Sequence, residues 1–322
     1  MQNLLDPAIL FFVFGCFAGF IKSNLEIPRS TVKFLSLYLL MALGLKGGFA
    51  LAKTGLSHEL MLSMFIALVM SFLVPAIGYW FLKNRISKFD AAAIAASYGS
   101  VSAVTFVTAI QYMEQNQLNP NAYMAIALVI MESPAIIMAV LLASMLRHQQ
   151  NSANTSGPSV KNILHESFTD GAHLLLLGSM AVGFLSGEAG KIVMQPFSGD
   201  LFKGMLAFFL LDMGLMVAKN FKEAKSNSVI LLAYAAISPL VHACIALTLC
   251  LLFNITLADT ILLMVLSASA SYIVVPAVLR YAIPEANPSL YFGLSIGITF
   301  PINIIIGIPV YIWLAEVFVR SL

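Results

Sequence analysis

Long apolar runs constrain this chain more than any other feature. Several exceed the roughly 18 residues a helix needs to cross a bilayer. Charge is scarce around them: of 322 residues, 10% are charged and 60% are hydrophobic, and the mean hydropathy is +0.92. Soluble domains carry about 25% charged residues. The runs are unbroken and do not alternate as barrel strands do. Backbone groups in lipid must bond within their own segment, and a helix achieves that. The sequence therefore predicts an all-α integral membrane protein.

Ten candidate spans can be drawn, at about 7–22, 32–53, 59–82, 90–112, 121–146, 171–190, 199–219, 228–253, 258–281 and 289–318. Between the fifth and sixth lies a polar stretch with Gln149-Gln150-Asn151-Ser152 and Thr155-Ser156-Gly157-Pro158, the composition of a linker. This gives a first half at 1–147, a linker at 148–169 and a second half at 170–322. The halves echo one another. Leu40-Met41-Ala42-Leu43-Gly44-Leu45 resembles Leu210-Leu211-Asp212-Met213-Gly214-Leu215, and Asn119-Pro120-Asn121-Ala122-Tyr123 resembles Asn287-Pro288-Ser289-Leu290-Tyr291. Glu132-Ser133-Pro134 falls opposite Thr299-Phe300-Pro301. Matches in order at nearly one offset indicate an internal repeat.

Charge sets the orientation. Lys22, Arg29, Lys33, Lys83, Arg85, Lys88, Arg147, Lys161, Lys219, Lys222, Lys225 and Arg280 fall on one side, and Lys53, Lys191, Lys203 and Arg320 on the other. The positive-inside rule then expects a cytoplasmic linker and both termini on the outer side of an inner membrane. Five spans per half is an odd number, so the halves would be inverted relative to each other, as in many secondary transporters. The net charge of +2 leaves no nucleic-acid footprint. The N-terminal segment to Leu10 has no Lys or Arg and carries Asp6-Pro7, unlike a signal peptide; Gly15-Cys16 likewise lacks the basic region of a lipoprotein site. Cys16, Cys244 and Cys250 are scattered, and buried thiols are the expectation.

Two stretches do not suit lipid. Ser97-Tyr98-Gly99-Ser100-Val101-Ser102-Ala103-Val104-Thr105 lies within the fourth span, and Ser267-Ala268-Ser269-Ala270-Ser271 within the ninth. Glycine weakens a helix, and hydroxyls compete for its backbone bonds. Val274-Val275-Pro276 adds a residue that cannot donate an N–H. Helices broken here would turn half-helix N-termini and hydroxyls toward the membrane centre, a cage for a small anion. The alternative is close helix packing through small residues. Glu132, next to Ser133 and Pro134, is a carboxylate within a span, a costly and usually functional placement. Its expected role is sodium binding; a proton-carrying acid or a structural partner are the other readings. Thr299 and Asn303 supply neutral oxygens at the matching place. Lys46 and Asp212 are expected to pair across the halves, with a coupling or substrate role as the alternative. His242 reads as a satisfied packing residue rather than a proton relay. No Gly-x-Ser-x-Gly, His-Glu-x-x-His or Walker-type loop occurs, so neither hydrolytic chemistry nor an ATP-driven pump is expected.

The chain resembles the sodium-dependent bicarbonate transporter family of bacteria. The residues that carry the resemblance are Gly99-x-Val101-Ser102-x-x-Thr105, Ser269-x-Ser271, Pro276-x-x-Leu279-Arg280 and, most specifically, Ile283-Pro284-x-Ala286-Asn287-Pro288-Ser289. The resemblance implies a five-plus-five inverted repeat. Spans 3–5 and 8–10 would form a mobile core, and spans 1, 2, 6 and 7 a gate. It further implies sodium-coupled, elevator-like symport, a homotrimer and a PII-like cytoplasmic regulator. The substrate site would comprise Gly99, Ser100, Val101, Ser102, Ala103, Val104, Thr105, Ser269, Ala270, Ser271 and Tyr272. The sodium site would draw on Ser102, Thr105, Glu132, Ser133, Ser271 and Thr299. Ala103-Val104, Tyr272 and Val274-Val275 stand where the family pattern has smaller or more polar residues. Two further readings remain: a bile-acid-carrier-like or proton-coupled organic anion transporter, and a membrane anion sensor that does not transport.

Overall fold

The computed structural model describes residues 7–55, 57–149, 171–225, 228–272 and 274–320. The expected linker falls almost wholly outside them. The protein is 85% helix, and no strand occurs among the described residues. Six helical runs there are long and apolar enough to cross a membrane: Arg29–Lys53, His58–Leu82, Lys88–Gln115, Leu174–Phe221, Val229–Leu252 and Pro288–Val319. Shorter apolar helices at Pro7–Phe20, Ala122–Glu132 and Leu257–Ala268 stand where the first, fifth and ninth spans were expected.

The first half comprises α1 (Pro7–Phe20), α2 (Arg29–Thr54), α3 (His58–Leu82), α4 (Lys88–Gly99), α5 (Ala103–Gln115) and α6 (Ala125–Gln149). The second comprises α7 (Gly171–Gln195), α8 (Phe202–Lys225), α9 (Val229–Leu252), α10 (Leu257–Ala268), α11 (Val274–Ala282), α12 (Pro288–Leu294), α13 (Phe300–Ile302) and α14 (Ile308–Val319). Starts are set by hydroxyl caps: Ser57, Ser87, Ser228 and Thr256 each accept the amide three residues on. The sixth and seventh spans form α7 and α8, joined by a wide π turn at Pro196–Asp200 into one helical run, Leu174–Phe221. A straight helix of that length would reach about 70 Å, more than twice the hydrocarbon thickness. It bends at Gly187 (φ 56°, ψ −143°), a conformation that glycine permits.

Two layers follow from the packing. In the first, α1 packs on α8 and α2 on α7, so each pair joins the two halves. Glycines bring these backbones together. A Cβ on Gly183 of α7 would lie 2.6 Å from the Leu45 carbonyl oxygen, and one on Gly214 of α8 would lie 2.9 Å from Cα of Gly15. In the second layer α3, α4 and α6 pack together, α9 packs on α10, and α10 meets α3, α5 and α14. The α4–α5 run is its centre, 94% buried over its apolar window. Pro301 cannot donate to the carbonyl four residues before it, and two π turns, Ser295–Thr299 and Asn303–Gly307, flank it.

A pair of carboxylates ties the second layer together across the halves. Asp259, fully buried in the first turn of α10, accepts from Asn121 Nδ2 (2.8 Å), the Tyr123 hydroxyl (2.7 Å) and the Ser63 hydroxyl (3.0 Å). Asp90, in the first turn of α4, accepts from the Asn287 backbone N–H (2.7 Å) and the Ser87 hydroxyl (2.7 Å). Each carboxylate thus grips the Asn-Pro loop of the opposite half. Lys46 does not pair with Asp212. Its ammonium lies 3.7 Å from Glu114 and 4.5 Å from the centroid of the Phe202 ring, because its long stem reaches the end of α5. Cysteine burial is mixed: Cys250 is buried, Cys16 half-buried and Cys244 exposed.

Replacing Asp259 with alanine strands two buried donors, Ser63 and Tyr123, and the half-buried Asn121, so we expect a loss of about 3 kcal/mol in thermal unfolding in detergent. Asp90→Ala, at a half-exposed carboxylate, should cost clearly less.

Candidate functional site

Both expected breaks are present. The chain leaves helix at Ser100–Ser102 between α4 and α5, and at Ser269–Tyr272 between α10 and α11. Small and hydroxyl residues let the backbone open there, and the two openings lie against each other. Ser102 N–H donates to the Ser269 hydroxyl at 2.9 Å. Ser271 N–H donates to the Ser97 carbonyl at 2.7 Å. The two serines also cap the helices that follow. The Ser102 hydroxyl accepts from the Thr105 N–H (3.2 Å) and from the Thr105 hydroxyl (3.0 Å), and the Ser271 hydroxyl accepts from the Val275 N–H (3.3 Å). The Ser269 hydroxyl in turn donates to the Leu266 carbonyl at 2.8 Å.

This corrects one expectation. The half-helix amides were expected to face the site free, yet Ser102, Thr105, Ser271 and Val275 already spend theirs on the opposite break or on a capping serine. The first two amides of α5, Ala103 and Val104, have no intrahelical acceptor by their position. Every residue from Ala91 to Met113 is buried except Ala103, which is partly exposed. The α5 N-terminus is therefore an accessible end of the crossing among the described residues. The hydroxyls of Ser97, Ser100 and Ser267 are buried without a hydrogen-bond partner among the described residues. Such a group costs about 1–3 kcal/mol, which makes the crossing a candidate ligand site.

The expected residues separate into groups. Ser100, Val101, Ser102, Ala103, Val104, Thr105, Ser269, Ala270, Ser271 and Tyr272 come together at the crossing. Gly99 serves packing: a Cβ there would meet the Pro75 ring of α3 at 2.5–2.7 Å. Thr299 bonds elsewhere, with its hydroxyl 2.6 Å from that of Tyr98 and donating to the Ala235 carbonyl at 2.7 Å. That carbonyl is available because Pro239, four residues on, has no N–H. Glu132 is buried on α6, which packs on α4 and α11. Ser133 is on the same helix, its side chain outside the described residues. Asn303 donates to the Ala268 carbonyl at 2.8 Å, at the end of α10, and accepts from the Tyr311 hydroxyl at 2.8 Å. His242 is buried, but its Nδ1 has no partner among the described residues, so it is not the satisfied histidine expected. No cluster of three His, Cys, Asp or Glu side chains suited to a metal occurs among the described residues.

Tyr272 closes one side of the crossing. Its ring meets Phe300 edge-on at 5.3 Å, and Phe300 meets Phe12 of α1 at 5.6 Å. Beyond it lies a cavity of about 800 Å³ between α2 and α8. Arg29 and Lys33 at the start of α2, Lys219 near the end of α8 and Gly171, the first described residue after the linker, all line it, so the cavity opens on the linker side. Sequence reasoning missed this cavity, because no local pattern records where two distant helices part.

Gly99→Ala must push α3 off α4. We expect a loss of about 1–3 kcal/mol, read as a lower unfolding temperature, and a weaker crossing rather than an altered ligand preference.

No curated protein matches the chain. Residues 7–316 match a protein family described as the Na+-dependent bicarbonate transporter superfamily. With nearly its whole length inside that match, and with helices able to cross a membrane several times, this multi-pass membrane protein belongs to the Na+-dependent bicarbonate transporter superfamily.

Proposed function

We propose that the protein is a secondary active transporter that carries bicarbonate, or another small anion, together with sodium. The observation that carries this reading is the pair of broken helices closing one another at a buried, hydroxyl-lined crossing. Irregular backbone at membrane depth is tolerated only where protein buries it or a cavity meets it, and in transporters it marks the binding site. The anion would take the α5 N-terminus at Ala103 and Val104 with the nearby serine hydroxyls. Sodium would use hard oxygens, with Glu132 as the charged ligand and Ser102, Thr105, Ser133 and Ser271 as candidates to complete the shell; Thr299, its hydroxyl already engaged by Tyr98 and the Ala235 carbonyl, is left out of it. Family membership supports transport and sodium dependence over enzymatic chemistry.

In this reading the ten spans form two inverted five-helix halves. The α3–α6 and α9–α14 layer moves as an elevator against α1, α2, α7 and α8. The protein sits in the inner membrane as a homotrimer, with both termini outside and the linker open to a PII-like regulator in the cytoplasm. A second reading, transport of a larger organic anion, is favoured by one observation: the cavity is far larger than bicarbonate needs, and its wall includes Phe209, Met213 and Phe292.

The test is uptake of labelled bicarbonate into vesicles holding the purified protein. We expect accumulation driven by an inward sodium gradient and lost when choline replaces sodium. Glu132→Ala should abolish that coupled uptake while the protein still inserts. Equal uptake in choline would sink the coupling, and uptake of organic carboxylates alone would select the second reading.

A further inference from the structure

The helix α2 meets the second layer at one end and stands off from it at the other. Ser36 and Leu37 of α2 and Tyr272, Pro276 and Phe292 of the second layer line the cavity between them. About ten residues further along α2, or roughly 15 Å, the same helix closes on that layer, where it packs on the tight turn Ala122–Met124. A Cβ on Gly47 would lie 3.1 Å from the Ala122 carbonyl oxygen and 3.4 Å from Cβ of Ala125, so the missing side chain lets the backbones meet.

An ion pair crosses the layers beside this closure. Lys46, on α2 of the first layer, lies 3.7 Å from Glu114, on α5 of the second. The carboxylate does nothing for α5 itself: it stands in the last turn, at the negative end of the helix, where an acid is disfavoured. Lys46 has a second contact within its own layer, the Phe202 ring at the start of α8, 4.5 Å from the ammonium to the ring centroid. It therefore keeps a partner when Glu114 leaves. The two side chains are 25% and 37% exposed, and a pair so open to solvent is modest in strength. A permanent tie has another form in this protein, the fully buried Asp259 with three donors, and that tie lies within the second layer.

We propose that Lys46 and Glu114 are a latch on the side away from the linker. They hold α5 against α2 while the cavity is open on the linker side, and they part when the second layer moves to open the opposite side. Gly47 lets the helices close, and the ion pair beside it sets how long they stay closed. The role as a gate rests on the transport reading; the closure is tested without it.

The experiment labels the purified full-length protein, carrying Ala125→Cys, with a polar maleimide in detergent. Ala125 is fully buried beneath Gly47. Mass spectrometry of the peptide bearing position 125 separates it from Cys16, Cys244 and Cys250. With the pair intact, labelling should be slow. Lys46→Met and Glu114→Gln should each speed it about fivefold. The two together should speed it no further, because each removes the same contact, and Lys46→Arg should keep it slow. If Ala125→Cys does not fold, Ala122→Cys, in the same closure, takes its place. A pair that only stabilises the fold would lower the unfolding temperature in Lys46→Met and leave labelling as slow as before. That result overturns the latch, as does a double variant in which the two effects multiply. Labelling that follows the pair, with no sodium-driven uptake by wild type in vesicles, keeps the closure and defeats the transport reading. Sodium-driven uptake with labelling indifferent to the pair does the reverse.

Discussion

A peptide group withdrawn from water must find a partner, and this requirement organises the whole molecule. Two helices are interrupted in its most deeply buried layer, and each interruption frees amides and carbonyls that lipid could not satisfy. The freed groups are paired by crossing the interruptions. Ser102 and Ser271 each send an amide to the opposite break and turn a hydroxyl to cap their own next helix. Carbonyls released further out are collected in the same way, Ala235 by Thr299 and Ala268 by Asn303. What elsewhere would be a defect becomes a polar seam inside an apolar body.

Much of this could be read from the residues. Apolar runs of bilayer length leave a helical membrane protein as the economical outcome, and hydroxyl-rich stretches inside them locate the breaks. The capping serines and threonine before α3, α4, α9 and α10 are equally visible. Asp90 and Asp259 carried a signal that was passed over: each stands three residues after a hydroxyl cap, at matching places in the two halves. Their reach to the opposite Asn-Pro loop was not legible, because it depends on how the halves dock.

The misreadings share that cause. Sequence spacing places Lys46 and Asp212 near corresponding positions, but pairing is decided by side-chain reach, and Glu114 at the end of α5 is within reach of Lys46. Gly99 was read only through the polar stretch it sits in, and its packing role was not visible there: the Pro75 ring occupies the space a side chain would need. Free amides were inferred from the breaks taken singly; with both breaks in contact, each consumes the other's donors. Among the described residues, the α5 start at Ala103 keeps an accessible end.

The reciprocity of Ser102 and Ser271 has a bearing on how such a chain can change over time. A replacement in one break leaves a backbone group stranded in the other, so the cost of drift in either half is felt in its counterpart. The two stretches are bound to a common fate, and a new ligand preference arises more readily at Tyr272 or Ala103, beside the seam, than among the serines that close it.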